Sequence, residues 1–275
     1  MTRIAPLALL ALVTGCIGPG FVHGNGTSAT EDRDVGAFTE VHADNLVRVE
    51  VSTGPAAPVS LTCDENLLAH IETVVDGGVL KIRTERLRSL STDIDCFAVV
   101  TAPAYTGFAT SGSGGLVGAE VFAGVTGIFS TGSGALVLDG VDAASLSARV
   151  SGSGGLTVGQ VTATFVEARD SGSGRLQLDD VLAESVDAGA SGSGGVVLSG
   201  TTDFADLHTS GSGGIDAEDL LARTVEIRVS GSGGVNAQAS DSADVSVSGS
   251  GGVAVYGSPA QHTENITGSG GVVYP

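Results

Sequence analysis

Arginines and carboxylates recur at fixed positions after a repeated Ser/Thr-Gly-Ser-Gly tetrapeptide, and this pattern is the one in the chain best suited to chemistry. Three arginines share the nineteenth position of the repeat and three acids share the seventeenth: Arg149, Arg169, Arg228, Glu167, Asp187 and Glu226. We therefore expect Arg169 to lie near Glu167 and Asp187 on one face. Clustered carboxylates beside an arginine base suit polysaccharide lyases, but a run of charges is usually a solvated surface. We interpret the group as surface and predict no catalytic residue.

Other motifs give weaker signals. The repeated GSGG lacks the following lysine and helix of a phosphate-binding loop, and no GxSxG nucleophile elbow occurs. Calcium-binding nonapeptides carry Asp after the glycines, where this chain has Leu, Val or Ile. The five histidines are scattered, and we expect surface or core positions for them rather than ligand roles: His23, His42, His70, His208 and His262. We predict no metal site and no cofactor.

The N-terminal segment is typical of an export signal. Arg3 precedes an apolar run from Ile4 to Val13, which is shorter than the roughly 20 residues of a membrane helix. The run ends in Val13-Thr14-Gly15-Cys16, which resembles the bacterial lipoprotein box. Residues 1–15 are thus predicted to be a lipoprotein signal peptide and Cys16 the lipidated residue. An ordinary signal peptide with an incidental cysteine is the alternative.

The segment after Cys16 predicts the location of the protein. Residues 16–35 are rich in Gly, Asn, Thr and Ser without periodicity, so we predict a flexible tether. We expect an exported cell-envelope protein held to a membrane through the lipid on Cys16. Residue 17 is not Asp, which favours an outer-membrane lipoprotein. With Cys16 lipidated, Cys63 and Cys96 form an even pair in an oxidising compartment, and we predict that they form a disulfide.

Nine copies of the tetrapeptide define the architecture. They begin every 18 to 20 residues: Ser111, Thr131, Ser151, Ser171, Ser191, Ser210, Ser230, Ser248 and Thr267. The sixth and eighth positions of most repeats are apolar, which is the alternation of a strand with one buried face. Valine recurs at the eleventh position, as in Val121 and Val141, and a third segment places Leu146 and Val166 inward. We predict a solenoid of stacked coils over residues 109–275, each with three short strands and a glycine corner.

The repeat length favours one type of coil. We predict an all-β, single-stranded right-handed parallel β-helix of about nine coils of 18–20 residues. A left-handed β-helix uses hexapeptides, which do not divide 20, and a four-sided coil with five residues per face places the small residue before the large one. Both remain alternatives. Residues 36–108 lack the tetrapeptide and are predicted as a β-rich N-terminal cap, with a short helix from Asp64 to His70 and a hairpin at Asp76-Gly77-Gly78.

Composition excludes one class of partner. The chain has 275 residues with 12 Lys and Arg against 31 Asp and Glu, a formal net charge of -19. Phosphate binding needs clustered basic side chains, and Lys81 is the only lysine. We therefore expect no nucleic-acid partner.

The order of motifs resembles a known family. Phe38-Thr39-Glu40-Val41, Asp64-Glu65-Asn66-Leu67 and Gly78-Val79-Leu80-Lys81-Ile82, followed by serial SGSG coils, are similar to the putative auto-transporter adhesin, head GIN domain family over residues 36–275. The resemblance implies a parallel β-helix shaped like pectin lyases but without their catalytic residues, and a role in adhesion.

The expected function is non-enzymatic. We predict a lipid-anchored envelope protein that binds a polysaccharide or a surface protein along the side of its rod. A polysaccharide lyase or hydrolase is the first alternative, but it would need loops inserted between coils, and spacings of 18 to 20 leave no room for them. A structural scaffold of the periplasm is the second.

Overall fold

The computed structural model describes residues 20–275, which are nearly all β. Strands account for 66% of the structure. Among the described residues, the one helical element in the chain of strands is a single 3-10 turn at Leu68–His70. Within residues 20–275 no helix has the length and apolar character needed to cross a membrane.

Nine strands precede the repeats and thirteen belong to them. The first nine are β1 (Phe21–His23), β2 (Ser28–Arg33), β3 (Glu40–Asn45), β4 (Arg48–Thr53), β5 (Val59–Asp64), β6 (Ile71–Asp76), β7 (Val79–Thr84), β8 (Ser89–Ser91) and β9 (Phe97–Ala102). The others are β10 (Gly107–Gly112), β11 (Leu116–Ala123), β12 (Gly127–Ser130), β13 (Leu136–Val150), β14 (Gly155–Val158), β15 (Val161–Asp170), β16 (Arg175–Ala190), β17 (Gly195–Thr209), β18 (Gly214–Val229), β19 (Val235–Val247), β20 (Gly252–Tyr256), β21 (Gln261–Ile266) and β22 (Gly271–Val273).

The repeats form a parallel β-solenoid of about eight turns, which confirms the predicted class of fold. Each coil pairs in parallel with the next, as β16 does with β17 and β17 with β18. Stacking in register places Leu156 on Leu176 and Leu176 on Val196, so equivalent positions of successive coils form columns along the solenoid. The nine tetrapeptides enclose eight intervals, which explains why the structure has about eight turns where nine coils were predicted.

Close contact between coils explains the glycine corners. A Cβ added to Gly154 would lie 2.0 Å from the carbonyl oxygen of Gly134, the equivalent residue one coil earlier. The same clash recurs at Gly174, whose Cβ would lie 1.9 Å from the oxygen of Gly154. Neither residue has a positive φ. The corner therefore needs glycine because side chains would separate the coils, and backbone bonds such as Ser153 N to Gly132 O (3.0 Å) link them instead.

The interior is filled by columns of aliphatic side chains. Leu136, Leu156 and Leu176 are fully buried, as are Leu146 and the valines in register with it. The hydrophobic core therefore extends along the whole solenoid, because each coil packs only against the coils next to it.

The first repeat departs from the predicted pattern. At the eleventh position Val141 and Val161 are buried, but Val121 of the first repeat is 51% exposed and Phe122 is buried in its place. The register of β11 against β13 shifts between Gly118 and Val121. Gly118 makes room for the new core residue, since a Cβ on it would lie 2.4 Å from the ring of Phe122.

The parallel stacking continues into the segment that precedes the repeats. Strands β3 and β4 pair in parallel with β10 and β11, and on their other side with β7 and β9. Glu40–Thr53 therefore forms a further coil that lacks the SGSG corner. The antiparallel strands β5 and β2 extend one sheet beyond β9, and β6 extends the other beyond β7, which caps the end of the solenoid.

Local details of the cap match the sequence in part. The hairpin is confirmed, because Gly77 and Gly78 have φ of 60° and 83° between the antiparallel strands β6 and β7. The predicted helix is reduced to the turn Leu68–His70, which Asp64 does not cap. The Asp64 carboxylate instead accepts hydrogen bonds from Gly26 N (2.6 Å) and the Thr92 hydroxyl (2.6 Å).

The segment predicted as a flexible tether, residues 16–35, is ordered where the structure describes it. β1 pairs with β8, and β2 pairs with β5 over six residues. The expectation of a tether does not hold for these strands because backbone pairing and the buried Asp64 carboxylate hold the segment against the cap. Its low apolar content gave no periodicity, since β2 lies at a sheet edge with mostly exposed side chains.

An aromatic cluster joins the cap to the solenoid. The rings of Tyr105, Phe108 and Phe122 lie 5.1 to 5.6 Å apart, centroid to centroid, in tilted and edge-on arrangements. The Tyr105 hydroxyl donates to the carbonyl oxygens of Ser52 (2.9 Å) and Val100 (3.1 Å). Burial raises the pKa of Tyr105 to about 12, so the phenol stays neutral and both bonds persist over the physiological range.

Candidate binding surface

One outer face of the solenoid carries most of the chemistry of the repeats. It is formed by the last strand segment of each coil, just before the glycine corner, where alternate residues point outward. We call the outward residues of four successive coils the charged strip: Phe165, Glu167, Arg169, Ser185, Asp187, Gly189, Phe204, Asp206, His208, Thr224, Glu226 and Arg228.

Carboxylates form a continuous ladder along the strip. Strand register stacks Glu167 on Asp187, Asp187 on Asp206, and Asp206 on Glu226, with Asp244 in the following coil. Adjacent strands lie roughly 4.8 Å apart. Like charges at this spacing repel one another, so cations that pair with the acids stabilise the ladder.

Arg169, Asp187 and His208 form the centre of the strip. The Arg169 guanidinium contacts Asp187 with both Nη atoms, at 2.9 Å to Oδ1 and 2.5 Å to Oδ2, and also donates to the Asp187 carbonyl oxygen. His208 Nδ1 lies 3.6 Å from Asp187 Oδ1. A Cβ on Gly189 would lie 2.4 Å from His208 Nε2, so glycine leaves the space that the imidazole occupies. The prediction that Arg169 lies near Glu167 and Asp187 is confirmed, with Glu167 Oε1 at 3.8 Å from Nε.

The remaining cations pair with the ladder in the same way. Arg149 contacts Glu167 at 2.7 Å, and Arg228 lies between Asp206, at 2.8 Å, and Glu226. Burial raises the pKa of Glu167, but hydrogen bonds from Arg149 and Ser147 outweigh it, and the net pKa is lowered. The hydrogen bond to Asp206 raises the pKa of Arg228. These charge-assisted hydrogen bonds hold the side chains in defined positions.

Two phenylalanines lie on the same outer face. Phe165 is 41% exposed, and Phe204 is half-buried in the same column two coils further on. Ser185 lies between them in register, and Ser145 and Thr224 flank them on the outer sides. Short side chains therefore neighbour both rings in the column, and the ring of Phe165 is the more exposed of the two.

Two long shallow grooves run along other parts of the solenoid. One, of about 860 Å³, follows the glycine corners and is lined by serines and glycines such as Ser173, Gly174 and Ser193. The other, of about 760 Å³, has Ala163 and Ala183 among its lining residues. Leu182, which is 61% exposed, also lines the second groove.

The predicted disulfide is present in the cap. Cys63 and Cys96 are bonded, with their Cα atoms 4.3 Å apart, and link β5 to the residue before β9. Their sulfurs and a carboxylate oxygen of Asp64 lie within 4.8 Å of one another, a spacing that metal sites share. The disulfide removes both thiolates as ligands, and the carboxylate already accepts bonds from Gly26 and Thr92, so this donor set does not suit a metal.

Four of the five histidines lie beside carboxylates. His23 contacts Asp93, His42 contacts Glu40, His70 contacts Glu85, and His208 contacts Asp187, at 3.1 to 3.7 Å. His262 packs against Tyr274 with ring centroids 4.8 Å apart. Only His208 joins the charged strip. The predicted lipidation residue, Cys16, lies outside the described residues.

Sequence columns counted from the start of each repeat miss part of the strip. Asp206 and Asp244 fall out of the seventeenth position because their repeats are shorter. The shorter repeats lack a residue mainly near the turn that follows their first strand segment. The strand register shifts there, for example between Val197 and Ser199. Counting back from the next tetrapeptide places Asp206, Asp244 and Glu226 all four residues before it. The same count aligns Phe165 with Phe204.

Fold and surface together define a β-solenoid protein with an extended, repetitive outer face. The sequence model of the family described as "Putative auto-transporter adhesin, head GIN domain" matches residues 37–196 and 157–259. The chain belongs to this family, as the motifs indicated. A comparison with curated proteins found no match.

Solved structures of similar fold include three that cover nearly the whole of this chain. A putative lipid binding protein from Parabacteroides distasonis is 24% identical, with a TM-score of 0.74 over 93% of this chain and 99% of that one. A putative adhesin from Parabacteroides merdae is 16% identical, with a TM-score of 0.69 over 94% and 100%. A putative adhesin from Bacteroides fragilis is 19% identical, with a TM-score of 0.53 over 92% and 100%. At these identities the likeness shows the fold.

Proposed function

We propose that this protein is a non-enzymatic, lipid-anchored component of the cell envelope that binds a polysaccharide or a protein along the side of its solenoid. The observation that carries the proposal is the ladder of paired charges on the strip, which repeats in register over several coils. A surface with this repeat suits a ligand that is itself extended. Membership of an adhesin family adds support.

The coil lengths support binding over catalysis. Spacings of 18 to 20 residues leave each turn short, and the described repeats contain no inserted loop that would wall a cleft. Enzymes that process chains exclude water and surround the reacting bond. The strip is open along its length, and its acids are paired with arginines, which suits recognition.

The proposed attachment rests on the sequence. Cys16 follows the apolar segment and the small residues of a lipoprotein box, and we propose that its lipid holds the solenoid at the outer membrane. Metabolic labelling with a fatty-acid analogue, followed by membrane fractionation, tests this. Label and membrane association should disappear in Cys16→Ser. Retention of both in the variant would contradict the anchor.

Binding is tested with the full chain carrying Cys16→Ser. It is incubated with neutral polysaccharides, acidic polysaccharides and an array of envelope proteins, and both retention and the release of new chain ends are measured. Retention without new ends is expected. New ends that disappear in Arg169→Ala would make the protein an enzyme, and no retention on any probe would favour a structural scaffold.

A further inference from the structure

We propose that the charged strip is a glycan-binding site for an uncharged pyranose polymer, with Phe165 and Phe204 as stacking platforms and Asp187 as an acceptor for sugar hydroxyls. This inference rests on the proposed binding function and names the face and the ligand class.

The two rings are placed to contact a chain that runs along the solenoid. They share one column and are separated by two strand spacings, roughly 9.6 Å, with Ser185 between them. An isolated exposed apolar residue is common on protein surfaces. Here two rings recur in register with only short hydroxyl side chains beside them in the column, and Phe165 is exposed while Phe204 is half-buried. A pyranose unit in an extended glycan is about as long as one strand spacing, so sugars two units apart meet successive rings.

The polar groups between the rings match the hydroxyl edge of a sugar. Asp187 lies two residues along the strand from Ser185, and its carboxylate is fixed by both Nη atoms of Arg169. The Asp187 side chain remains 29% exposed, so lone pairs stay available for hydroxyl donors. Arg169 and His208 offer donors beside it. Because these side chains are already paired, little conformational entropy is lost when a ligand binds.

Aromatic faces together with a few fixed polar groups are the elements that orient a ligand with one apolar and one polar side. A pyranose ring has an apolar C–H face that can stack on the phenylalanines and a rim of hydroxyls that can bind the polar groups. The grooves elsewhere on the solenoid combine serine hydroxyls with glycine backbone, or alanine with leucine, and the residues that line them include no aromatic ring. The strip therefore matches a sugar better than either groove does.

The negative charge of the strip and of the whole chain favours uncharged glycans over acidic ones. The ladder holds five acids, Asp244 included, and the arginines paired with it number three, within a chain of net charge -19. Polymers of uronic acids and sulfated polymers are also negatively charged, so electrostatic repulsion lowers both their rate of association and their affinity. An uncharged polymer avoids the repulsion and keeps the contacts with the rings and Asp187.

The test measures affinity for soluble β-glucan, xylan and mannan, with polygalacturonate as the acidic polymer, by affinity electrophoresis of the full chain carrying Cys16→Ser. At least one neutral polymer should retard the protein, and polygalacturonate should not. Phe165→Ala and Phe204→Ala should each weaken binding about two- to tenfold, the range of aromatic contacts. Asp187→Asn should weaken it about tenfold, as expected for a lost charged acceptor.

Leu182→Ala is the matched control, because it removes an exposed apolar side chain from another face. It should leave the affinity unchanged, and circular dichroism should show all variants folded. Neutral-glycan binding that survives the strip variants, or that Leu182→Ala also weakens, overturns the inference. So does preference for polygalacturonate. If no glycan binds while an envelope protein does, the inference fails and the proposed binding function stands; if nothing binds, both fail.

Discussion

Adjacent glycines of one corner provide a direct test of how the coils are held together. In Gly154→Ala the new Cβ would lie 2.0 Å from Gly134 O, whereas ordinary contact begins at 3.4 Å, so the two atoms must move apart by about 1.4 Å. That shift strains the bonds from Ser153 N and Gly154 N to Gly132 O, now 3.0 and 2.9 Å. Overpacking costs about 1–3 kcal/mol and each weakened bond about 1 kcal/mol, so we expect a loss of roughly 3–5 kcal/mol.

Gly155→Ala is the matched control one residue away. Its Cβ would meet only Arg175 O, at 3.7 Å, and Ala135 occupies the equivalent position of the preceding coil. Removing a glycine without a clash stabilises by about 0.4–1 kcal/mol, because the unfolded chain loses entropy.

Thermal unfolding followed by circular dichroism measures both variants. At about 2–4 °C per kcal/mol for a chain of this size, Gly154→Ala should lower the midpoint by roughly 10 °C, and Gly155→Ala should leave it unchanged or raise it slightly. Hydrogen exchange should show the loss of protection concentrated in the coils next to Gly154, since each coil contacts only its neighbours. Equal effects of the two substitutions would refute the close-contact explanation of the corner.

Three further predictions concern buried charge and the cap. Burial raises the pKa of Asp170 in the folded protein, although backbone hydrogen bonds from Gly172 and Gly195 act in the opposite direction. The stability that Asp170 contributes is therefore present below the pKa of the unfolded chain and is lost as the pH rises above it. Asp170→Asn should raise the urea midpoint at pH 7 but not below pH ~4. Burial also raises the pKa of Asp64, but hydrogen bonds from Thr92, Gly26, Asp93 and Ile94 outweigh it and lower the pKa. Its contribution is therefore present at neutral pH and lost in acid; Asp64→Ala should cost about 1.5–3 kcal/mol in urea unfolding at pH 7, and an unchanged midpoint would contradict this. Opening the disulfide with paired Cys63→Ser and Cys96→Ser substitutions should cost about 2–5 kcal/mol, measured against the oxidised chain, and the same midpoint with and without the bond would show that the cap is held by packing alone.

Local periodicity was enough to predict the stacking of coils but not the exact set of strip residues. The SGSG repeat and the alternation at positions six and eight depend only on neighbours in one coil and on the identical coil next to it, so they are readable directly. The positions of Asp206, His208 and Phe204 depend on where a short coil loses its residues. That turn has no strong sequence signal, and the structure alone shows that the last strand segment keeps its register.

In the cap, one contact could be predicted from the sequence and others could not. Cys63 and Cys96 could be paired because they were the only two cysteines left once Cys16 was assigned to the lipid. The pairing of β2 with β5, and the buried Asp64 that holds Gly26 and Thr92, join segments that lie about 30 to 40 residues apart and share no periodicity. No local pattern encodes such contacts.

The amino-acid sequence was sufficient to indicate a β-solenoid and its glycine corners, because each coil repeats one local pattern whose apolar face is buried against its neighbours. The family was indicated by the order of the cap motifs together with the repeats. The tertiary structure alone decided that Phe122 replaces Val121 in the first coil, that Glu40–Thr53 forms a further coil, and that His208 joins Arg169 and Asp187 beside the column of Phe165 and Phe204. These features depend on register between chain segments, which is set by packing and backbone pairing over the whole rod.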